Sequence, residues 1–334
     1  MIFTNATSEE MNAVEKRLFS SGLAQIVLKE LADHLHSKRF AILFALVAAA
    51  SLAAIYVASG NIRAEVEGAG PDAFVFLKLF TVTGSSLPSA AAFIGFIGPL
   101  AGLALGFDAI NGERVRGTLS RILSQPIHRD ALIHGKFIAA LIIVMTMIFS
   151  LGLMVAGLGL IAFGVPPSVE EVLRLISFLL LTVVYIAFWL AVSLLFSILF
   201  KQTATAALAG IALWLFLTFF SSTLANLMAD AWIPIQNTST PEQVLLHERV
   251  RANLARISPT QLYGEASATL LDPTVRSLQT VFLTTQVDRI VAGTLDFGQS
   301  LLLVWPHLTG MVAATMICFA ISYIVFMRQE IRAG

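Results

Sequence analysis

The chain has 334 residues, of which 57% are hydrophobic and 13% charged, with basic and acidic side chains in balance and a mean hydropathy of +0.83. Soluble domains carry roughly 25% charged residues, so the composition excludes a soluble domain and points to an integral membrane protein. A net charge of zero offers nucleic acid no electrostatic footprint, and a single cysteine, Cys318, leaves neither an intrachain disulfide nor a cysteine metal motif.

Residues 1–13 are polar and acidic, read as weakly ordered, and do not resemble a secretory signal. Phe19, Leu23, Ile26, Val27, Leu31 and Leu35 then recur at helical spacing up to the basic step Lys38-Arg39. Such a helix is too polar to span. It either lies in the membrane interface or packs on a neighbour, and the spanning run that follows at once favours the interface. With it, residues 1–39 form an N-terminal segment. Span one is expected over Phe40–Ser59, an uncharged apolar run. A loop follows, with an apolar patch at Phe74–Phe80 that re-enters the membrane or lies on its surface. Span two, Ser89–Phe107, places Gly95, Gly98 and Gly102 on one side, where small residues let helices approach closely. Pro99 is expected to kink it.

Span three is expected over Ala131–Phe163; Gly164-Val-Pro-Pro-Ser168 is a tight turn and Glu170-Glu171 starts a helix, with span four over Leu173–Phe200 and span five over Ala204–Met228. Span six covers Gln299–Met327, with Pro306 in its first third. The expected fold is therefore all-α: one transmembrane domain over 1–334, with spans one to five in 40–228, a helical loop over 229–298, and span six with its tail in 299–334. Within the loop, Thr240-Pro241 with Gln243, and Ser258-Pro259 with Gln261, read as an N-cap, Pro at N1 and Gln at N3. Asp272-Pro273 repeats the start, so helices are expected near 241–256, 259–271 and 273–292. Tyr263 and Glu265 in the second either pack this cap or touch a substrate or outer partner.

Sidedness follows from Lys and Arg in the short segments. Lys16, Arg17, Lys29, Lys38 and Arg39, five basic residues of the 108–136 stretch, Lys201, and Arg328 and Arg332 fall on one side. Only Arg63, Lys78 and Arg174 fall on the other. The first side is expected to be cytoplasmic, with both termini on it and the 229–298 loop outside.

The polar stretch from Asp108 to Lys136 lies between two apolar runs. Val115, Leu119, Ile122 and Leu123 share one face of a helix, with Arg114 and Arg121 on its flank. Asn111-Gly112 breaks the preceding helix, Glu113 suits a helix N-terminus, and Pro126 ends the segment. The spacing predicts a short amphipathic helix within 112–126, either a solvated loop helix or one docked on a membrane or partner.

Glu113, Arg114, Gly117, Thr118, Leu119, then Leu123, Ser124, Pro126, Arg129, Gly135 and Lys136 follow the order E-R-x-x-G-T-L-x-x-L-L-S-x-P-x-x-R-x-x-x-x-x-G-K. This order resembles permease subunits of ABC transporters of the ABC-2 type. Ile122 stands where that family often has Leu. The resemblance implies that the segment is the coupling helix contacting a separate ATP-binding cassette ATPase, through Glu113, Arg114, Gly117, Thr118, Leu119, Arg121, Ile122, Leu123, Pro126 and Arg129. It also implies a connecting helix before span one, and ATP and magnesium bound by the ATPase rather than here. Residues 257–267 are similar to a segment of such permeases linked to maturation of multicopper enzymes.

The remaining residues carry no other chemistry. No P-loop pattern, H-E-x-x-H or G-x-S-x-G occurs, so no catalytic or metal constellation is expected. The expected spans hold few ionisable groups, with His307 deepest. A proton- or sodium-coupled carrier needs intramembrane carboxylates or broken-helix sites, so the energy for transport is expected to enter from a partner. The reading is a permease subunit of an exporter in a prokaryotic plasma membrane, paired with a second copy of itself or a homologous permease. Its alternatives are a secondary carrier and a sensory or structural membrane subunit. Phe216, Phe219 and Phe220 of span five are candidates to line the pathway; lipid-facing or dimer packing is their other reading.

Overall fold

The computed structural model describes residues 22–38, most of 40–49, residues 52, 53 and 56, and then 74–81, 88–124, 128–163, 166–235, 240–274 and 295–329. All regular structure among them is helical. In chain order the helices are α1 (Gly22–Leu35), α2 (Val75–Thr81), α3 (Ala90–Gly106), α4 (Asn111–Val115), α5 (Thr118–Leu123), α6 (Arg129–Phe163), α7 (Val169–Leu199), α8 (Thr203–Phe219), α9 (Ser221–Trp232), α10 (Pro241–Ala255), α11 (Pro259–Leu271) and α12 (Phe297–Arg328). Four segments are long and apolar enough to cross a membrane: α3 with its extension to Val115, α6, α7 and α12. The pair α8–α9 makes a fifth if counted as one broken span. Residues 40–49 are helical where described; the rest of expected span one lies largely outside the described residues, as do the expected helix over 273–292 and Pro126.

The bundle is built around α7, whose Phe178, Tyr185, Ile186, Trp189 and Ser197 are all fully buried. Its start is fixed by a capping box in which Ser168 and Glu171 satisfy each other's backbone N–H groups. Glu171 also accepts from the backbone N–H of Phe76, at 2.9 Å, and so holds the apolar patch 74–80 as helix α2, with Phe76, Leu77, Leu79 and Phe80 buried against the bundle. The glycines of span two meet α7: a Cβ at Gly102 would lie 2.7 Å from the Ile186 carbonyl oxygen, and one at Gly98 3.1 Å from the Ile186 side chain. Gly95 instead admits the ring of Tyr263 from α11.

Expected span five is not one straight helix. α8 and α9 meet at Phe220 with a bend of 50°. The carbonyl of Leu217 there accepts from Ser258 Oγ at 3.0 Å, and a side chain inserted into the helical ladder is a common cause of a kink. The same bond explains why Ser258, although it stands before Pro259, makes no side-chain cap on α11.

Helices α10 and α11 start where Thr240-Pro241 and Ser258-Pro259 place them. α11 does not sit on top of the bundle as a solvated cap. It inserts among α2, α3, α7, α8 and α12, with Tyr263 stacked on Tyr185 at 4.3 Å and its hydroxyl 3.0 Å from Thr182 Oγ1. Glu265 accepts from Arg256 Nε and from Gln261 Nε2, and lies 2.8 Å from His307 Nε2. Burial would raise this carboxyl, but the hydrogen bonds from His307, Gln261 and Arg256 outweigh it and hold it below the usual carboxylate value. Tyr263 and Glu265 therefore pack the cap against the spans.

Arg174, 0% exposed, closes this end. It donates to the Leu295 carbonyl at 2.6 Å, to the Leu270 carbonyl, and to Ser300 Oγ, and pairs with Glu170 at 2.8 Å. The membrane domain is thus less free of charge than its expected spans suggest. Its buried ionisable groups gather near the two ends of the bundle and are paired there.

Candidate functional site

The 108–136 stretch forms the opposite end. Its expected single helix over 112–126 is instead two short ones, α4 and α5, set at an angle by Gly117 at φ +67°. Glycine adopts this left-handed conformation without the cost a Cβ brings. Thr118 Oγ1 donates to the Glu113 carbonyl at 3.2 Å and fixes the corner. The break also divides the expected apolar face. Leu119, 2% exposed, packs inside the chain with Ile26, Ile110, Leu132, Ile133, Leu194, Ile198 and Phe326, and Ile122 rests on that cluster. Val115 points out, 69% exposed. Leu123 closes α5.

Asn111 and Ile110 anchor the approach to the corner. Both backbone N–H groups donate to Ser197 Oγ, and the Asn111 amide donates to the Phe200 carbonyl. Glu113, 4% exposed, then faces Lys136 on α6, 5% exposed, at 2.6 Å between Oε1 and Nζ. The same ammonium reaches Glu30 Oε1 of α1 at 2.9 Å, and Lys29 reaches that oxygen from the other side at 3.0 Å. Burial raises the Glu30 carboxyl, but Lys136 and then Lys29, by charge and hydrogen bond, hold it below its ordinary value. α1 is locked to α6 as well by shape, since a Cβ at Gly135 would lie 2.6 Å from Ile26 Cγ2.

Glu30 and Lys136 as partners are what the sequence reading missed. A signal existed: Glu30 lies four residues after Ile26, so a charge stands within the apolar stripe of α1, and Lys136 lies two turns inside a long apolar helix. What the sequence does not carry is their meeting across 106 residues.

Between α1, α3, α5 and α6 lies a cavity of about 630 Å³. Its polar wall includes Lys29, Asp33, Asp108, Arg116, Thr118 and Arg121, and Glu113 and Glu30 form its floor with Lys136. Glu113 Oε2 is buried and has no hydrogen-bond partner among the described residues. Arg116 and Arg121 are exposed at the rim. Arg114 turns elsewhere: with Arg129 it holds Gln329 after α12, which in turn donates to the Ile198 carbonyl. Of the expected pathway residues, Phe216, Phe219 and Phe220 are each about half exposed on one side of α8 and its junction with α9. Among the described residues no group of three His, Cys, Asp or Glu side chains is placed to hold a metal ion.

Residues 24–331 match the family model described as "ABC-2 family transporter protein". Over 194 residues the chain is 31% identical to a protein named "Probable ABC transporter permease protein NosY" from Pseudomonas aeruginosa, covering 55% of this chain and 63% of that one. It is 33% identical over 87 residues to a protein of the same name from Stutzerimonas stutzeri, covering 26% and 32%. The matched regions span less than two thirds of either relative's length. On the match over most of its length, this all-helical, multi-pass membrane chain belongs to the ABC-2 family of transporter proteins.

Proposed function

We propose that the chain is the transmembrane permease subunit of an ATP-driven exporter whose ATPase is a separate subunit. The working unit is two permeases, as a homodimer or with a homologous permease, and two ATPases that bind the ATP and magnesium. It sits in a prokaryotic plasma membrane with the Glu113 end and both termini in the cytoplasm. The relatives named as ABC transporter permeases support this reading. The observation that carries it is the cavity beneath α4–α5, where Glu113 offers one unpaired, buried carboxylate oxygen.

A basic side chain of the ATPase entering that cavity would complete the Glu113 carboxylate with a charge-assisted hydrogen bond. Since Lys136 already holds Oε1, the incoming cation joins a chain that runs through Lys136 to α1 and α6. ATP-driven movement of the ATPase would thus be passed to two helices together, and the spans would rock as bodies about their interface. The test is to purify the permease with and without its ATPase. The chain alone is expected to hydrolyse no ATP. Because Glu30 still pairs with Lys136, Glu113→Gln is expected to leave the complex assembled, and the ATPase active, while transport falls. Unchanged transport by Glu113→Gln would reject the role given to Glu113, and hydrolysis by the lone permease would reject the division of labour.

A further inference from the structure

At the end of the bundle opposite Glu113, a second cavity of about 500 Å³ opens between α3, α8 and α11. It is lined by hydroxyl and small side chains, among them Ser89, Thr218, Thr260 and Ser267. Its one charged group is Asp272, and no Lys, Arg or His among the described residues lines it. Thr218 Oγ1 is buried and lacks a hydrogen-bond partner among the described residues. One turn earlier on α8, Trp214 is 4% exposed and its Nε1–H is likewise unpartnered. Unpaired buried donors are uncommon and costly, and the Thr218 hydroxyl, in the wall of the cavity, is suited to an acceptor oxygen.

The cavity does not end in water alone. Phe96, which lines it, meets Trp214 edge-on at 5.0 Å and Phe219 at 6.5 Å. Phe219 leads on to Phe216 and Phe220, whose rings stack at 5.9 Å, so a mainly apolar pocket with hydroxyl groups in its wall adjoins, through Phe96, an exposed aromatic face within the expected membrane. That is the shape of an amphiphile: a compact head in the pocket, a chain along the phenylalanines.

The geometry points to a binding site for a membrane amphiphile with an uncharged, oxygen-rich head, entering from the bilayer. Anionic heads are disfavoured because Asp272 repels them and no cation among the described lining residues offsets their charge; burying an unpaired charge is expensive. Occupancy does not require the ATPase, so this proposal stands or falls separately from the coupling role of Glu113.

Gly264 gives a clean way to close the site. It lines the cavity, and a Cβ there meets no atom within 4 Å, so Gly264→Leu starts a bulky side chain into the pocket from an unhindered position and raises helix propensity. The permease alone, in lipid nanodiscs, is exposed to diacylglycerol carrying a diazirine beside its acyl carbonyl, and in parallel to phosphatidate with the same chains and diazirine. After illumination, labelled peptides are identified by mass spectrometry. We expect diacylglycerol to label Phe96 and the 260–272 segment at least fivefold above phosphatidate, and Gly264→Leu to remove that excess while melting no lower than the parent. Equal labelling by the two probes, preference for phosphatidate, or labelling that survives Gly264→Leu would each overturn the site.

Discussion

The ammonium of Lys136 stands 2.6 Å from the carboxylate of Glu113, and both side chains are buried. The contact fixes the position of α4 from inside the chain. Removing one member of such a pair strands the other charge out of water, which costs about 3–5 kcal/mol, whereas replacing the set with neutral groups is often near neutral. Lys136→Met is therefore expected to lower the melting temperature sharply. The triple change Lys136→Met, Glu113→Gln, Glu30→Gln is expected to recover most of the loss. Thermal unfolding of the detergent-solubilised variants measures both.

Leu119 and Arg121 separate folding from docking. Leu119 is buried among side chains of this chain, and truncating a buried leucine costs about 2–5 kcal/mol. Leu119→Ala should thus lower the stability of the permease by itself. Arg116→Glu and Arg121→Glu sit on exposed positions and should melt like the parent yet co-purify less ATPase. If Leu119→Ala is as stable as the parent, the packing described for α5 is wrong.

Two glycines should respond in opposite directions to alanine. At Gly102 the new methyl meets the Ile186 carbonyl oxygen at 2.7 Å and the Leu190 nitrogen at 3.1 Å, and forcing α3 away from α7 should cost about 1–3 kcal/mol. At Gly157 it meets nothing within 4 Å, and the gain in helix propensity should be about 0.5–1 kcal/mol. Melting curves of the two single variants decide this.

Acid should loosen α1 in two stages. Burial, opposed mainly by the charge of Glu30, holds the His34 imidazole below its ordinary value of 6.5. The unfolded chain therefore takes up that proton first, and the stability involved is full above 6.5 and lost as pH falls from there through the lower folded value. Glu30 is likewise held below 4.5, so its contribution is full above 4.5 and lost as pH falls through its lower folded value. The parent should melt lower at pH 5.5 than at pH 7.5, and His34→Gln should shrink that difference while leaving the drop below 4.5 in place. A difference untouched by His34→Gln would place the titrating group elsewhere.

Sidedness can be checked directly. With Cys318 replaced by Ser, single cysteines at Ser124 and at Glu242 should react with a membrane-impermeant thiol reagent from opposite sides. Reaction from one side only would reject the arrangement in which α10 lies outside and α5 inside.

Local signals carried the fold furthest. Glu170-Glu171 after a Pro-Pro turn, Thr240 with Pro241, and Ser258 with Pro259 mark helix starts because a start is a matter of three or four neighbouring residues, even where, as at Ser258, the expected side-chain cap does not form. Long apolar runs mark α3, α6, α7 and α12 for the same reason. The misses are all long-range or conformational. The corner at Gly117 is invisible to a periodicity that continues across it from Val115 to Leu119. The bend at Phe220 depends on Ser258, 41 residues away from the carbonyl it takes. Arg174 reads as a charge at the outer edge until its partners arrive from α11, the segment before α12, and α12 itself. The Glu113–Lys136 motif was legible as a motif; that its glutamate is half occupied by Lys136 was not.

Arg174 also imposes an order on biogenesis. Three of its four hydrogen-bonding partners, Leu270, Leu295 and Ser300, lie 96, 121 and 126 residues downstream. When α7 leaves the ribosome and enters the membrane, Glu170, one turn back, is the one hydrogen-bonding partner present to hold the guanidinium, beside the ring of Phe74 made earlier. The i, i+4 pair is then a chaperone in miniature, keeping the charge company until α12 is made. The Arg174 end of the bundle can close only after Ser300 has been made, and α12 is the helix that seals it against α7.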